Sequence, residues 1–304
     1  MEKVGFIYDD IFLKHETSEW HPERKERLIH IIDTLKKSGL HEKLIHIKPD
    51  RATYDDIVSV HDPDYIQRIK NFGKGYLDPD TYMSEASLES ALYAAGSVIE
   101  GIERCKKGEI DKAFCAVRPP GHHAESNRAM GFCIFNNIAI GARYAQKVGY
   151  KNVFIIDFDV HHGNGTQHIF EADNTVFYFS THQYPHYPGT GMASENGVGK
   201  GKGYTYNVPL PGGSGDGEYL NIYQNVLPGL INKFRPDVIL VSAGYDIHKD
   251  DPLSDIRISD EGVKGIIHSI LSCSSVPFVF ALEGGYNLSA LGVSVKITIE
   301  EMLK

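Results

Sequence analysis

The sequence predicts an α/β fold in which a mainly parallel, doubly wound sheet of about eight strands is flanked by helices. Two observations predict it: short apolar runs alternate with longer helical patterns, and the runs are apolar at successive residues. Strands that are covered by helices on both faces show such continuous runs. Alternating strands and helices imply right-handed βαβ crossovers, and we expect a single domain over residues 1–304.

The elements can be placed in order along the chain. Apolar runs predict strands at 4–8, 43–47, 113–117, 153–157, 176–180, 204–210, 238–244 and 277–285. Helical patterns cover 84–107, 134–148, 218–234, 259–273 and 288–303. We expect Ser84, Ser259 and Asn287 to cap three of these helices. The glycine-rich and proline-rich stretch 185–217 predicts a system of functional loops around one short strand.

Composition narrows the class of protein. With 304 residues, of which 41% are hydrophobic, the chain can bury a substantial core. No segment is long and apolar enough to predict a membrane span, so we expect a cytoplasmic protein, without a further targeting or partner-binding domain. A net charge of -9 argues against direct nucleic-acid binding and would suit a basic substrate. The four cysteines lack CxxC spacing and are expected to be reduced structural thiols.

Polar residues cluster where the predicted strands end. The segments RPPGHHA, DFDVHHGNG, STHQYPHYPGTG, YDIHKDDPL and EGGYN each follow directly after an apolar run. In an open parallel sheet, ligands bind beyond the carboxyl ends of the strands. The sequence therefore predicts an active site at this edge of the sheet.

The segment DFDVHH predicts a metal site. Side chains alternate in an extended segment, so Asp157, Asp159 and His161 would share one side, and Asp159 and His161 can bind one ion. Asp246, after a neighbouring predicted strand, is the leading candidate for a third ligand. This donor set with one open position suits catalytic zinc, although iron, cobalt or manganese would also fit. The alternative is a solvated strand edge with an ordinary hydrogen-bonded histidine.

Two carboxylate ligands would neutralise the charge of a divalent ion, so a water molecule at the site would need a general base. His122 and His123 suit that role, and the Asp157 carboxylate could orient one of them. The hydroxyl of Tyr286 could donate a hydrogen bond to an oxyanion. For a tyrosine after two glycines, ordinary loop packing is the competing interpretation.

Together these motifs resemble the zinc-dependent histone deacetylase family, which has the arginase/deacetylase-like fold. The resemblance rests on RPPGHHA at 118–124, GFCIFNN at 131–137, DFDVHHGNGTQ at 157–167, FSTH at 179–182, YPGTG at 187–191, AGYD at 243–246 and EGGYN at 283–287. Their order and approximate spacing also agree. The resemblance extends from HPERKERL to the last helix and implies a metal-dependent amidohydrolase.

The resemblance implies a role for each matching residue. Asp159, His161 and Asp246 would be the ligands of one catalytic zinc. His123 would be the general base, His122 its electrostatic or acid partner, and Tyr286 the oxyanion donor. Asn164 stands where some members have Asp as the partner of the second histidine, and it should leave His123 less basic. His162 is expected to be a hydrogen-bonded neighbour rather than a ligand.

The resemblance also implies a structural potassium ion and a substrate channel. Asp157 would pair with His122 and hold the potassium, together with Ser180 and the main-chain carbonyls of Asp159, His161 and Thr181. The channel would be lined by Gly131, Phe132, Tyr187, Leu253 and Asp80, with Arg27 in an internal cavity. Competing interpretations are core packing for Phe132, a turn-forming role for Asp80 and a helix-surface position for Arg27.

The resemblance leaves two substrate classes open, acylated lysine in a peptide or protein and acetylated polyamine. One polyamine-cleaving branch has a rim glutamate where this chain has Leu253, which favours acyl-lysine. A binuclear manganese ureohydrolase is a less favoured alternative, because its DAHxD and paired DxDxxDP segments are replaced by DxDxH and a single late Asp. A non-catalytic acyl-lysine binder would not need the base or Tyr286. The sequence predicts no particular oligomeric state.

Overall fold

The computed structural model of the protein describes residues 2–304 and contains one large sheet. Its strands are β1 (Val4–Ile7), β2 (Ile45–Ile47), β5 (Lys112–Cys115), β6 (Val153–Asp157), β7 (Val176–Gln183), β8 (Thr205–Leu210), β9 (Val238–Ala243) and β10 (Phe278–Leu282). They lie in the order β2-β1-β5-β10-β9-β6-β7-β8, and every pairing is parallel. A small antiparallel hairpin joins β3 (Gly75–Tyr76) to β4 (Tyr82–Met83). The predicted α/β fold with an eight-stranded parallel sheet is confirmed.

Helices flank the sheet. They are α1 (Glu26–Lys37), α2 (Tyr54–Val58), α3 (Pro63–Phe72), α4 (Ser87–Lys106), α5 (Asn137–Lys147), α6 (Asn164–Phe170), α7 (Asp216–Asn225), α8 (Leu227–Phe234), α9 (Asp260–Ser272) and α10 (Leu288–Met302). Helices α4 and α5 pack together, while α1, α10, α9 and α7 pack in sequence beside one another. Within residues 2–304, no helix has both the length and the apolar character needed to cross a membrane.

The strands form where the sequence is continuously apolar because helices cover both faces of the sheet. All residues of β6, β9 and β10 are buried. Strand β7 runs three residues past the predicted end, to Gln183, because its polar last residues are buried as well. The last three residues of β7 also pair with Val208, Pro209 and Leu210 of β8, which extends the strand beyond the point where its apolar run stops.

Two of the predicted helix caps are present and one is not. Ser259 and Asn287 accept hydrogen bonds from the N–H groups of Gly262 and Ala290, at 3.1 Å each. The prediction for Ser84 was wrong, because the helix begins at Ser87. The hydroxyl of Ser87 instead accepts a 2.7 Å hydrogen bond from the N–H of Ser84.

The helix predicted over 218–234 is two helices. It is interrupted at Val226, and Pro228 lies in the first turn of α8. A proline has no N–H to donate to the carbonyl four residues earlier, so a continuous helix through this position would lose a hydrogen bond. The sequence prediction also omitted α1, α2, α3 and α6, which are short or rich in polar residues.

Candidate active site

The five polar segments of the sequence meet at one edge of the sheet. They follow β5, β10, β9, β6 and β7, which are consecutive neighbours in the strand order. Since all these strands are parallel, their carboxyl ends open on the same edge. The sheet therefore brings together residues that are more than 160 positions apart in the chain, such as His122 and Tyr286.

Asp159, His161 and Asp246 form a compact cluster at this edge. One ligand atom from each residue lies within 4.8 Å of the others. The Nδ1 atom of His161 is 3.0 Å from Asp159 Oδ1 and 3.2 Å from Asp246 Oδ2. Both carboxylates are fully buried, whereas His161 is partly exposed. The three predicted ligands are thus close enough to share one ion.

The second oxygen of Asp246 has no conventional partner. Asp246 Oδ1 accepts a 3.0 Å hydrogen bond from the N–H of Val160, but Oδ2 is buried without a hydrogen bond within residues 2–304. Burial, reinforced by the nearby Asp159 carboxylate, raises the pKa of Asp246 to about 7. A cation bound at this oxygen would stabilise the ionised carboxylate, because a buried charge without compensation is costly. The donor set of two carboxylates and one imidazole fits a divalent metal ion.

Main-chain segments enclose this cluster tightly. Asp159 Oδ2 accepts a 2.8 Å hydrogen bond from the N–H of Gly284. A Cβ atom at Gly284 would overlap Asp246 Oδ2, and one at Gly244 would overlap the Asp159 carboxylate. Both positions require glycine because the backbone passes directly against the carboxylates.

His122 is held by carboxylates. Its Nδ1 atom is 3.1 Å from Asp157 Oδ2, and its Nε2 atom is 3.8 Å from Asp159 Oδ1. Burial alone would lower the pKa of His122, but the negative charges of Asp159, Asp157 and Glu283 raise it to about 10. The predicted pairing of Asp157 with His122 is present in the geometry, and the pair favours an imidazolium.

His123 lies in a different environment although it is the next residue. Its Nδ1 atom is 2.7 Å from Asn164 Oδ1, and its ring is 4.0 Å from the ring of His122, centre to centre. Burial and the neighbouring rings of His122 and His161 hold the pKa of His123 well below its usual value. Two adjacent histidines therefore favour opposite protonation states, as an acid and a base would.

A narrow cavity of about 90 Å³ opens beside these groups. All five predicted channel residues line the cavity: Gly131, Phe132, Tyr187, Leu253 and Asp80. The cavity is also lined by His122, His123, His161 and Tyr286. Phe132 is partly exposed, so the alternative of simple core packing was wrong. Asp80 Oδ1 accepts a 3.2 Å hydrogen bond from the N–H of Gly131, which ties the rim to the channel wall.

Tyr286 reaches the cavity from the turn after β10. Its ring packs edge-on against Phe132, with 5.9 Å between centroids, and Arg27 lies 5.0 Å from the ring centre. Arg27 is fully buried and donates hydrogen bonds to the carbonyls of Gly285 (2.7 Å) and Glu283 (2.6 Å). The helix-surface alternative for Arg27 was therefore wrong, and this side chain holds the turn that carries Tyr286.

The predicted monovalent-cation residues also lie together. Asp157 and Ser180 are register partners on β6 and β7, and Thr181 follows Ser180. Asp157 Oδ1 accepts a 3.2 Å hydrogen bond from the N–H of Asp159. Ser180 Oγ is 2.8 Å from Nδ1 of His182, and Thr181 Oγ1 is 2.9 Å from Oη of Tyr223.

Three further residues at the site escaped the sequence prediction. Glu283 accepts hydrogen bonds from the N–H groups of Gly121 (2.6 Å) and His122 (3.2 Å), and burial raises its pKa to about 7. Tyr178 donates a 3.0 Å hydrogen bond to Asp157 Oδ2. Asp251 accepts a 2.6 Å hydrogen bond from the N–H of Tyr286. Glu283 and Asp251 belong to strand-end segments, and that position was the available signal.

The remaining predictions near the site concern His162 and the cysteines. His162 is buried and lies 2.7 Å from Thr190 Oγ1 and 2.9 Å from Gln167 Oε1, so its ring nitrogens point away from the carboxylate cluster. All four cysteines are free thiols, and burial raises the pKa of Cys133 well above its usual value.

Comparisons with known proteins identify the family of this chain. The histone deacetylase domain model matches residues 21–302. A probable deacetylase from Methanothermobacter thermautotrophicus is 44% identical over 91% of this chain and 84% of its own length. A probable deacetylase from Archaeoglobus fulgidus is 38% identical over 94% of this chain and 82% of its own length.

Plant proteins extend the comparison. Histone deacetylase 5 of Arabidopsis thaliana is 35% identical over 99% of this chain, which spans 49% of that longer protein. The crystal structure of the HDA15 HD domain superposes with a TM-score of 0.96 at 36% identity, covering 99% of this chain and 88% of that one. The chain is an amidohydrolase-type hydrolase and belongs to the histone deacetylase family.

Proposed function

We propose that the protein removes acetyl, or another acyl group, from the side-chain amine of lysine in peptides or proteins, with one zinc ion as cofactor. The observation that carries this proposal is the compact cluster of Asp159, His161 and Asp246, whose ligand atoms lie within 4.8 Å of one another and in which His161 lines the cavity. Asp159, His161 and Asp246 would hold the ion. When bound, zinc supplies a Lewis acid that polarises the amide carbonyl and acidifies a water molecule.

His123 and His122 carry out different proton transfers. Asn164 accepts the Nδ1 proton of His123, so Nε2 of His123 is free to take a proton from the attacking water. Asp157 accepts from His122 Nδ1 and stabilises its imidazolium, which can protonate the departing amine. Tyr286 donates its hydroxyl proton in a hydrogen bond to the oxyanion that forms as water adds to the carbonyl.

The channel suits a linear acylated amine. Phe132 and Tyr187 supply aromatic walls for the methylene groups, and the Tyr187 ring packs edge-on against His123 at 5.2 Å. Leu253 supplies an apolar rim where a glutamate would favour the second positive charge of a polyamine. Asp80, at the rim, can accept a hydrogen bond from a substrate main chain. These features support lysine over polyamine as the source of the amine.

We further propose that a potassium ion binds beside β6 and β7. Asp157 and Ser180 would supply side-chain oxygens, and the carbonyls of Asp159, His161 and Thr181 would complete the site. The register pairing of Asp157 with Ser180 supports this proposal. The ion would offset part of the negative charge that Asp157 brings into the sheet edge.

The function is tested with the purified metal-loaded protein and three substrate classes. Acetyl-lysine peptides, longer acyl-lysine peptides and N-acetylated polyamines are compared by kcat/KM, and bound zinc is measured in the same samples. We expect one zinc per chain and the highest kcat/KM on an acyl-lysine peptide. Preference for the polyamine would overturn the lysine assignment, and no turnover of any acylated amine would overturn the proposed reaction.

The rim assignment has a separate test. Leu253→Glu should raise kcat/KM for N-acetylated polyamines relative to acetyl-lysine peptides, because a carboxylate at the rim attracts a second ammonium group. Leu253→Gln is the matched control, with similar size and no charge. Equal effects of the two substitutions would show that charge at this position does not select the substrate.

A further inference from the structure

The orientation of the Asn164 side-chain amide decides which nitrogen of His123 carries a proton. The carbonyl oxygen of an asparagine accepts a hydrogen bond, whereas its NH2 group donates. With Oδ1 facing His123 Nδ1 at 2.7 Å, the imidazole must carry its proton on Nδ1. If the amide were rotated by 180°, its NH2 group would face Nδ1 and the proton would move to Nε2.

The two orientations have nearly the same shape, so contacts on the NH2 side must distinguish them. Asn164 Nδ2 donates to Glu125 Oε1 at 2.6 Å and to the carbonyl of His123 at 3.3 Å. A carboxylate can only accept, and rotation would place the Asn164 oxygen against the charged Glu125 oxygen. The contact with Glu125 is charge-assisted and is the shortest that Nδ2 makes.

Glu125 is itself held in a fixed position. Its side chain is 10% exposed, and both carboxylate oxygens lie close to His168 Nδ1, at 2.9 and 3.1 Å. Asn164 and His168 are four residues apart on α6, so both face Glu125 from one side of that helix. Contact with His168 also lowers the pKa of Glu125, against the effect of its burial, which favours the ionised, acceptor-only form.

We infer that Glu125 is a positioning residue that fixes the Asn164 amide and thereby keeps the proton of His123 on Nδ1. The His123 Nε2 atom is then always the basic nitrogen on the cavity side. This inference rests on the proposed function, in which that atom accepts the water proton. Glu125 does not contact the substrate; it acts only through Asn164.

Glu125→Gln tests the inference because the side-chain shape is preserved while the acceptor-only character is lost. A glutamine can accept from or donate to Asn164, so both amide orientations become available. We expect kcat to fall in proportion to the fraction of Asn164 amides that rotate, about twofold if the two orientations are equally populated. KM, bound zinc and thermal stability should remain near the wild-type values. Glu171→Gln, the same change at the end of α6, is the control.

The same substitution of Glu125, made in the variant Asn164→Asp, separates a positioning role of Glu125 from ordinary structural support. In Asn164→Asp, both side-chain oxygens accept, so the Nδ1 proton of His123 no longer depends on amide orientation. Adding Glu125→Gln to this variant removes a repulsion between two carboxylates. We therefore expect the second substitution to leave kcat unchanged or raise it, the reverse of its effect on the native protein. A similar loss of kcat in both backgrounds would overturn the inference.

The position of the proton can be read without any substrate. In zinc-loaded protein with ¹⁵N-labelled histidine, nitrogen shifts distinguish an Nδ1–H from an Nε2–H imidazole, and His123→Asn identifies the His123 signals. We expect Nδ1–H in the native protein and a substantial Nε2–H population in Glu125→Gln. An unchanged Nδ1–H form in that variant would overturn the inference. Because this readout does not need turnover, it remains decisive even if the proposed substrates are not cleaved.

Discussion

Asp246 illustrates at the residue scale how burial prepares a side chain for a metal. One oxygen accepts a main-chain hydrogen bond, and the other lies 3.2 Å from His161 Nδ1 beside the Gly284 backbone. Asp246→Ala should therefore lower bound zinc, because two side chains would remain to hold the ion. The control variant Asp250→Ala should keep the bound zinc, because Asp250 is exposed and lies four residues after Asp246. The zinc content of both variants is measured by mass spectrometry. One zinc per chain in Asp246→Ala would show that another residue is the third ligand.

The contribution of the Tyr286 hydroxyl group to turnover can be measured by itself. Its ring contacts Phe132 and Arg27, and Tyr286→Phe keeps both contacts. We expect kcat to fall roughly 100-fold or more, as the loss of one oxyanion donor typically causes, with zinc content unchanged. Thermal stability should also stay close to that of the native protein, since the ring contacts and the main-chain hydrogen bond from Tyr286 to Asp251 are kept. Unchanged turnover would remove Tyr286 from the reaction.

The turn after β10 is the clearest case at the scale of structural elements. Arg27 of α1 binds its carbonyls from one side, and Asp251 binds its N–H groups from the other. Asp251 Oδ2 accepts from Tyr286 at 2.6 Å and Asn287 at 3.2 Å, while Oδ1 accepts from Leu253 at 3.0 Å. This carboxylate therefore couples the Tyr286 turn to the channel rim.

Asp251→Asn should loosen both segments, because an amide has one acceptor oxygen in place of two. We expect the free energy of unfolding to fall by about 1–3 kcal/mol, the cost of leaving a buried main-chain donor unsatisfied. We also expect a lower kcat, since Tyr286 would be held less firmly. Asp250→Asn is the matched control, because its side chain is 60% exposed. Denaturant unfolding and steady-state kinetics on both variants provide the measurement, and equal stability would contradict the role assigned to Asp251.

The same elements show which features a sequence can predict. Strands such as β6 and β9 are continuously apolar, so their positions followed from the sequence. Helix α6 escaped prediction because its buried residues include Asn164 and Gln167, whose polar side chains bond other polar groups and do not form an apolar stripe. Glu125 and Glu283 escaped for a related reason. Each acts through contacts with residues at least 39 positions away, which only the folded chain brings together.

At the scale of the whole molecule, the candidate metal site joins several neighbouring strands of the sheet. Asp159 and His161 follow β6, Asp246 follows β9, and Gly284 after β10 donates to Asp159. The sequence predicted the ligands because a parallel sheet places its strand ends together. It could not predict the strand order, which makes β6, β9 and β10 adjacent. Metal binding should consequently stabilise the sheet as a unit rather than one loop.

Removal of the metal tests this coupling. An ion present at about 1,000 times its dissociation constant stabilises the folded state by about 4 kcal/mol. With an unfolding entropy of about 2.1 cal/mol/K per residue, a chain of 304 residues should lose about 6 °C in Tm when a chelator strips the zinc. Zinc added back should restore the Tm, and Asp246→Ala should show little response to the chelator. Scanning calorimetry of both proteins makes the measurement. An identical Tm for the native protein with and without zinc would mean that the ion does not offset the negative charge of the buried carboxylates.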